Sequence, residues 1–206
     1  MKKFIDLSHS IEDNMPVYPG DTRTNLFQTK YVRVHQYNDH RLDMSMHSGT
    51  HIDSPLHFMD SNEYISELSL ESFIAEGCIL DVRNQAVIRM KAAYEKVIQD
   101  YSIVLLYTGQ DKIYGTKEYY EEHPCVDIEL CKFLLRKNIK MLGMDLPSPD
   151  HYPFQIHQLL FENKINIMEN LTNLEKLLHV ESFEVIAFPL KIKADSSMTR
   201  AVARIF

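Results

Sequence analysis

The chain has 206 residues, enough to bury a full hydrophobic core and near the upper end of what one domain usually holds, so one domain over residues 1–206 is expected. Apolar residues make up 45% and charged residues 25%, an ordinary globular balance that argues against disorder or a fibrous repeat. A formal net charge of −7 leaves no basic surplus to hold phosphate backbones, which excludes nucleic acid as an expected partner.

The opening MKKFIDLSHSIED carries two lysines followed by isolated apolar residues, so it lacks the continuous apolar run of a secretory signal, and a cytoplasmic protein is expected. Residues 4–7 read as a first strand, and the turn-formers Pro16-Val17-Tyr18-Pro19-Gly20-Asp21 follow. Alternation fits strands at 28–35 and 41–47. The apolar runs at 77–82 and 102–107 are of the kind that buried central strands produce. Apolar residues at three- and four-residue steps predict helices over 91–101 and 127–137, with Asp127 capping the second. Residues 140–144, 165–168 and 183–192 complete the strands, Pro189 marking the last as an edge or bulged strand. The order is mixed α and β. No segment approaches about 18 uninterrupted apolar residues, so no membrane-spanning helix is expected. The cysteines Cys78, Cys125 and Cys131 show no CxxC spacing and read as plain reduced side chains.

The informative stretch is His47-Ser-Gly-Thr-His51-Ile-Asp53-Ser-Pro-Leu-His57, three imidazoles and one carboxylate within eleven residues. Neutral imidazole nitrogen and carboxylate oxygen are ligands that Zn²⁺, Mn²⁺ or Fe²⁺ accept. Gly49 and Pro55 break any continuous helix and let the backbone wrap an ion. His51 and Asp53, two apart, point to the same side of an extended segment. His9, His35, His40, His123, His151 and His179 lie outside this cluster and read individually as structural or surface residues.

The string HSGTHIDSPLH resembles the HxGTHxDxPxH signature of the cyclase family of metal-dependent hydrolases, which includes bacterial kynurenine formamidases and isatin hydrolases. The resemblance runs along nearly the whole chain. Asp6-Leu-Ser8, the Pro16 to Asp21 turn, Leu105-Leu-Tyr-Thr-Gly109 and Leu142-Gly-Met-Asp-Leu-Pro-Ser-Pro-Asp150 match in order. They are followed by His157-Gln-Leu-Leu, Ile167-Met-Glu169-Asn-Leu and Phe188-Pro-Leu-Lys191 with Arg200.

The resemblance implies an α/β protein of the swivelling β/β/α fold, a mixed β-sheet core with flanking helices. It also implies a homodimer or homotetramer. It assigns His47, His51 and Asp53 to a first metal, and Asp53, His157 and Glu169 to a second, so that one or two divalent ions are held, Zn²⁺ first and Mn²⁺ as the alternative. His57 is carried over as the general acid/base. The implied reaction is hydrolysis of a small amide, formamide, lactam or ester by metal-activated water. A cyclase, dehydratase or lactonase on another carbonyl compound uses the same site, and a non-catalytic metal- or small-molecule-binding protein is the remaining alternative. Where kynurenine formamidases tend to carry tryptophan in the early PxWPGD turn, this chain has none and presents Tyr18, which can stack a planar ring of the substrate. Near Arg200 the chain reads Asp195-Ser-Ser-Met-Thr, without the glycine common there.

Overall fold

The run Ile103-Val-Leu-Leu-Tyr107 is apolar at every position, which only a strand covered on both faces can use. In the computed structural model, which describes residues 3–206, all five of its residues are buried and it lies at the middle of the main sheet. Strands in chain order are β1 (Lys3–Asp6), β2 (Asn25–Lys30), β3 (Asp39–Asp43), β4 (His51–Asp53), β5 (Ile74–Asp81) and β6 (Val87–Ile88). They continue with β7 (Ile103–Tyr107), β8 (Cys125–Val126), β9 (Met141–Met144), β10 (Asn166–Glu169), β11 (Phe183–Ile186), β12 (Ser196–Met198) and β13 (Val202–Ile205). Among the described residues the main sheet has nine strands in the order β1-β13-β11-β5-β7-β9-β10-β4-β12. Its centre, β5 to β7 to β9 to β10, is parallel, and the flanking pairs are antiparallel.

Side chains alternate across this sheet and feed two cores. Val104, Leu106, Leu142 and Met144 face one of them. Two amphipathic helices cover that face, one over Ile128–Arg136 through Leu130 and Leu134, the other over Gln155–Glu162 through Ile156, Leu160 and Phe161. Ile103, Leu105, Met141 and Met168 point the other way, toward Leu7, Phe73, Leu174 and Phe183. This is the mixed sheet with flanking helices that the sequence leads one to expect. No helix among the described residues is long and apolar enough to cross a membrane.

The expected helix at 127–137 forms over Ile128–Arg136, and the Asp127 carboxylate caps it by accepting from the Leu130 N–H at 2.8 Å. Several expectations need correction. The helix expected over 91–101 shrinks to Tyr94–Val97, because its apolar stripe has only Tyr94 and Ile98 to bury and Ile98 is already extended. The strand expected over 28–35 ends at Lys30, and Val32–His35 form a single helical turn. Local side chains decide this: Asn38 Oδ1 accepts from the Val32 N–H at 2.9 Å and His35 Nδ1 from the Tyr31 N–H at 3.1 Å. The strand expected over 41–47 stops at Asp43 and pairs only with β2, in a two-stranded arm separate from the main sheet. The last expected strand, 183–192, leaves the sheet after Ile186, and Pro189 makes an isolated bridge with Thr199. The pattern does not predict the helix over Gln155–Glu162; two turns whose N-cap residue, Phe154, offers no capping side chain are too short for periodicity to declare.

Candidate metal centre

Three adjacent strands bring the chemistry together. β10 pairs antiparallel with β4, setting Glu169 directly across from His51, and β12 pairs with the other edge of β4. Gly49 prepares the approach: its φ of +65° favours glycine, and a Cβ there would sit 2.8 Å from the Met15 methyl carbon and have to displace it. Its carbonyl lies 2.8 Å from His51 Nδ1, which donates to it, and this tautomer turns the Nε2 lone pair into the site. The Asn170 amide also donates to the Gly49 carbonyl, at 3.0 Å, fixing that acceptor in place.

The ligand-type atoms then converge. Asp53 Oδ1 lies 2.9 Å from His47 Nδ1 and 3.4 Å from His51 Nε2. Glu169 stands 3.4 Å from His51 Nε2 through one oxygen and 3.6 Å from His157 Nε2 through the other. Asp150 Oδ1 accepts from His157 Nδ1 at 2.6 Å, which again leaves Nε2 facing inward. His51 Nε2, Asp53 Oδ1 and Glu169 Oε1 are all buried without a hydrogen-bond partner. Buried polar atoms are nearly always satisfied. Imidazole nitrogens and carboxylate oxygens left facing one another in this way fit a cation bound among them.

The field of the site says the same. Burial disfavours a charged His51, yet Asp53 and Glu169 outweigh it and raise its pKa well above the ordinary histidine value. Burial would likewise raise Asp53, but His51 and His47 hold its carboxyl well below the usual range. The same competition pushes His47 up to about 10, with burial opposed by Asp195 and Asp53. For His157 burial is opposed by Asp150 and Glu169, and the pKa rises to about 9. The pocket therefore stabilises positive charge at its centre.

His57 sits at the rim. Asp195 Oδ2 accepts from both His57 Nδ1, at 2.9 Å, and His47 Nε2, at 3.0 Å. These two imidazoles hold the Asp195 carboxyl far below its ordinary pKa, His47 being the larger cause. The Asp195 backbone carbonyl in turn accepts from the Ser54 N–H at 3.0 Å and the Ser54 hydroxyl at 2.7 Å, tying this loop to the signature segment. A cavity of about 220 Å³ opens over these groups, walled by Val17, Tyr18, Phe58, Tyr120 and Phe154. Tyr18 meets Tyr120 edge to face, with ring centroids 5.7 Å apart.

The structure thus gathers His47, His51, Asp53, His57, His157 and Glu169 at one place and puts Tyr18 on the same cavity. Arg200 lies apart, its guanidinium paired with Asp6 on the surface. Sequence reasoning missed Asp195 and Asp150, the carboxylates that orient three of the histidines. Asp150 lies in a proline-bounded loop only seven residues before its partner His157, and Asp195 begins the stretch without glycine, more than a hundred residues from His47 and His57; neither local pattern announces a histidine partner.

Comparison with known proteins points to one family. The Cyclase family model matches residues 5–151. A kynurenine formamidase from Bacillus cereus is 31% identical over 98% of this chain and 97% of its own length. Among solved structures, isatin hydrolase A from Labrenzia aggregata superposes with a TM-score of 0.89 at 24% identity, covering 99% of this chain and 94% of that one. A protein described as a potential metal-dependent hydrolase with cyclase activity gives 0.78 at 24% identity, covering 100% and 99%. Matched along most of its length by the family model and by relatives of equal extent, the chain belongs to the cyclase family.

Proposed function

We propose that this protein is a metal-dependent hydrolase that cleaves the carbon–nitrogen bond of a small amide, with aryl formamides of the N-formylkynurenine kind and lactams as the substrate class. The observation that carries the reading is the convergence of buried, unpartnered His51 Nε2, Asp53 Oδ1 and Glu169 Oε1. The family membership and the similarity to a kynurenine formamidase support it. His47, His51 and Asp53 would hold one divalent cation, and Asp53, His157 and Glu169 a second, with Zn²⁺ the first choice and Mn²⁺ the alternative for such nitrogen and oxygen donors. When bound, such a cation supplies Lewis acidity and brings the pKa of water from about 15.7 toward 7.

The chain's own residues do the rest. His57, held through Nδ1 by Asp195, keeps Nε2 free to move a proton to the departing amine. Phe58 and Phe154 keep bulk water from one side of the cavity, and Tyr18 offers a ring face for a planar substrate. Asp150 and Gly49 fix the tautomers of His157 and His51, so no reorganisation of these imidazoles is needed as charge develops.

The chain acts as one domain in the cytoplasm, as a homodimer or homotetramer. The arm of β2 and β3 supports assembly: Phe27, Tyr31, Val32, Val34, Tyr37 and Leu42 are all exposed there, an apolar surface unusual for a monomer. Metal analysis of the purified protein, with hydrolysis assays on N-formylkynurenine, isatin and simple aryl formamides, tests the function. Bound divalent metal with turnover of at least one of these is expected. Bound metal with no turnover of any of them would count against this substrate class and favour a metal- or small-molecule-binding role.

A further inference from the structure

Outside the hydrolytic centre, His123, Cys125 and His151 each direct one ligand atom to a common point, all of them within 4.8 Å of one another. Taken singly they look unremarkable: a buried histidine, a half-buried cysteine and an exposed histidine. Folding makes them a set. Cys125 lies on β8, whose Val126 N–H donates to the Pro149 carbonyl at 2.8 Å, drawing the strand against the loop that carries His151. The His123 and His151 rings lie 4.1 Å apart between centroids.

His123 supplies the second observation. It is only 4% exposed, its Nδ1 donates to the Pro124 carbonyl at 3.2 Å, and its Nε2 is buried with no partner at all. An unsatisfied imidazole nitrogen at such depth costs free energy unless something accepts its lone pair. Burial, helped by neighbouring His151, lowers the His123 pKa to about 4 despite the Pro124 contact, so at neutral pH the ring is neutral and able to ligate.

We propose that His123, Cys125 and His151 form a second cation site, separate from the hydrolytic centre, that takes a thiophilic borderline divalent ion of the Zn²⁺ class through two imidazole nitrogens and one thiolate. The ligand set selects against hard ions such as Mg²⁺ or Ca²⁺, which prefer oxygen. A tetrahedral ion with bonds of about 2.0–2.3 Å spaces its ligand atoms about 3.3–3.8 Å apart. Atoms within 4.8 Å of one another already lie near that spacing, and the exposed His151 is the member with most room to adjust. Burial raises the Cys125 thiol pKa, so the proton leaves only as the sulfur–metal bond forms: one S–H is exchanged for one S–metal bond and one proton goes to solvent. The bound ion would staple β8 to the loop whose Asp150 orients His157, since His151 is the next residue.

Cobalt titration tests this. Chelator-treated protein is titrated with Co²⁺ alone, following thiolate-to-cobalt charge-transfer absorption and the equivalents bound, in the wild-type chain and in Cys125→Ser and His151→Ala. The wild-type chain is expected to show the charge-transfer band and to bind one equivalent more than Cys125→Ser. In that variant the band disappears although Cys78 and Cys131 remain. His151→Ala, changed at an exposed position and keeping the thiol, should weaken the same equivalent at least about tenfold. A band and stoichiometry equal in wild type and Cys125→Ser, or no band in the wild type, overturns the proposal. The hydrolytic centre contains no sulfur, so this result is independent of whether the protein hydrolyses amides.

Discussion

Asp195 accepts from His57 Nδ1 at 2.9 Å, and through that contact a loop near the C-terminal strand sets the orientation of an imidazole from the signature segment. The same oxygen accepts from His47 Nε2 at 3.0 Å, so the proposed proton carrier and a metal-ligand candidate share one carboxylate. The two variants should therefore separate. His57→Ala should keep its metal and lose about 10²- to 10⁴-fold in kcat. Asp195→Asn should lose rate and also bind metal about 10- to 100-fold more weakly, because the orientation of both rings is released. Metal content and steady-state kinetics on the same preparations check this; a metal-free His57→Ala protein would show that His57 is a ligand instead.

His51→Ala should remove metal and activity together. His51 sits between Asp53 and Glu169, so its loss leaves two buried carboxylates facing one another without the nitrogen that separates them. Elemental analysis beside an activity assay measures both, and retention of either one contradicts the assignment.

Asp150 holds His157 at 2.6 Å and also accepts from the Ile156 N–H at 2.6 Å, at the start of the helix that carries His157. In Asp150→Asn the amide keeps one acceptor oxygen and can serve only one of the two donors. The affinity for one of the ions should fall about 10- to 100-fold. Competition with a chromophoric chelator reads it, and unchanged affinity would make Asp150 merely a helix cap.

Metal loading should release protons. In chelator-treated protein His47, raised to about 10, and His157, raised to about 9, both hold protons at neutral pH, whereas a free histidine titrates near about 6.5. Because these folded-state values lie above the unfolded one, the stability they contribute is complete below about 6.5 and is lost as pH rises through 9 to 10. A cation must displace those protons, so its apparent affinity should climb with pH across the neutral range. Calorimetric titration in buffers of different ionisation enthalpy measures the release, and heats independent of buffer would refute it.

The fold offers a separate test at Gly77, where a Cβ would lie 2.1 Å from the buried Phe183 ring. Gly77→Ala should cost about 1–3 kcal/mol by overpacking, and Phe183→Leu in the same chain should recover part of it. Thermal unfolding of the single and double variants decides, and a neutral Gly77→Ala would mean that the ring shifts freely.

Legibility followed the range of the forces involved. The central strands announce themselves because residues 103–107 and 141–144 must be apolar on both faces. The signature histidines announce themselves by closeness in sequence. Glu169 was reachable only through resemblance, since its position opposite His51 is a matter of strand register. Asp195 and Asp150 act across loops, and no periodicity encodes which imidazole a loop carboxylate will meet. The turn at Val32–His35 misled for the opposite reason: valine and tyrosine favour strands, but Asn38 and His35 side chains took over the backbone donors.

The pairing of β10 with β4 joins residues more than a hundred positions apart, which bears on how early in synthesis the proposed site could be complete. A nascent chain that has emerged only through the signature segment holds three of the five proposed ligands and no orienting carboxylate for His57. On the proposed ligand set, hydrolysis would wait for the distal third of the polypeptide to leave the ribosome, and premature termination would yield inert fragments rather than partially active ones.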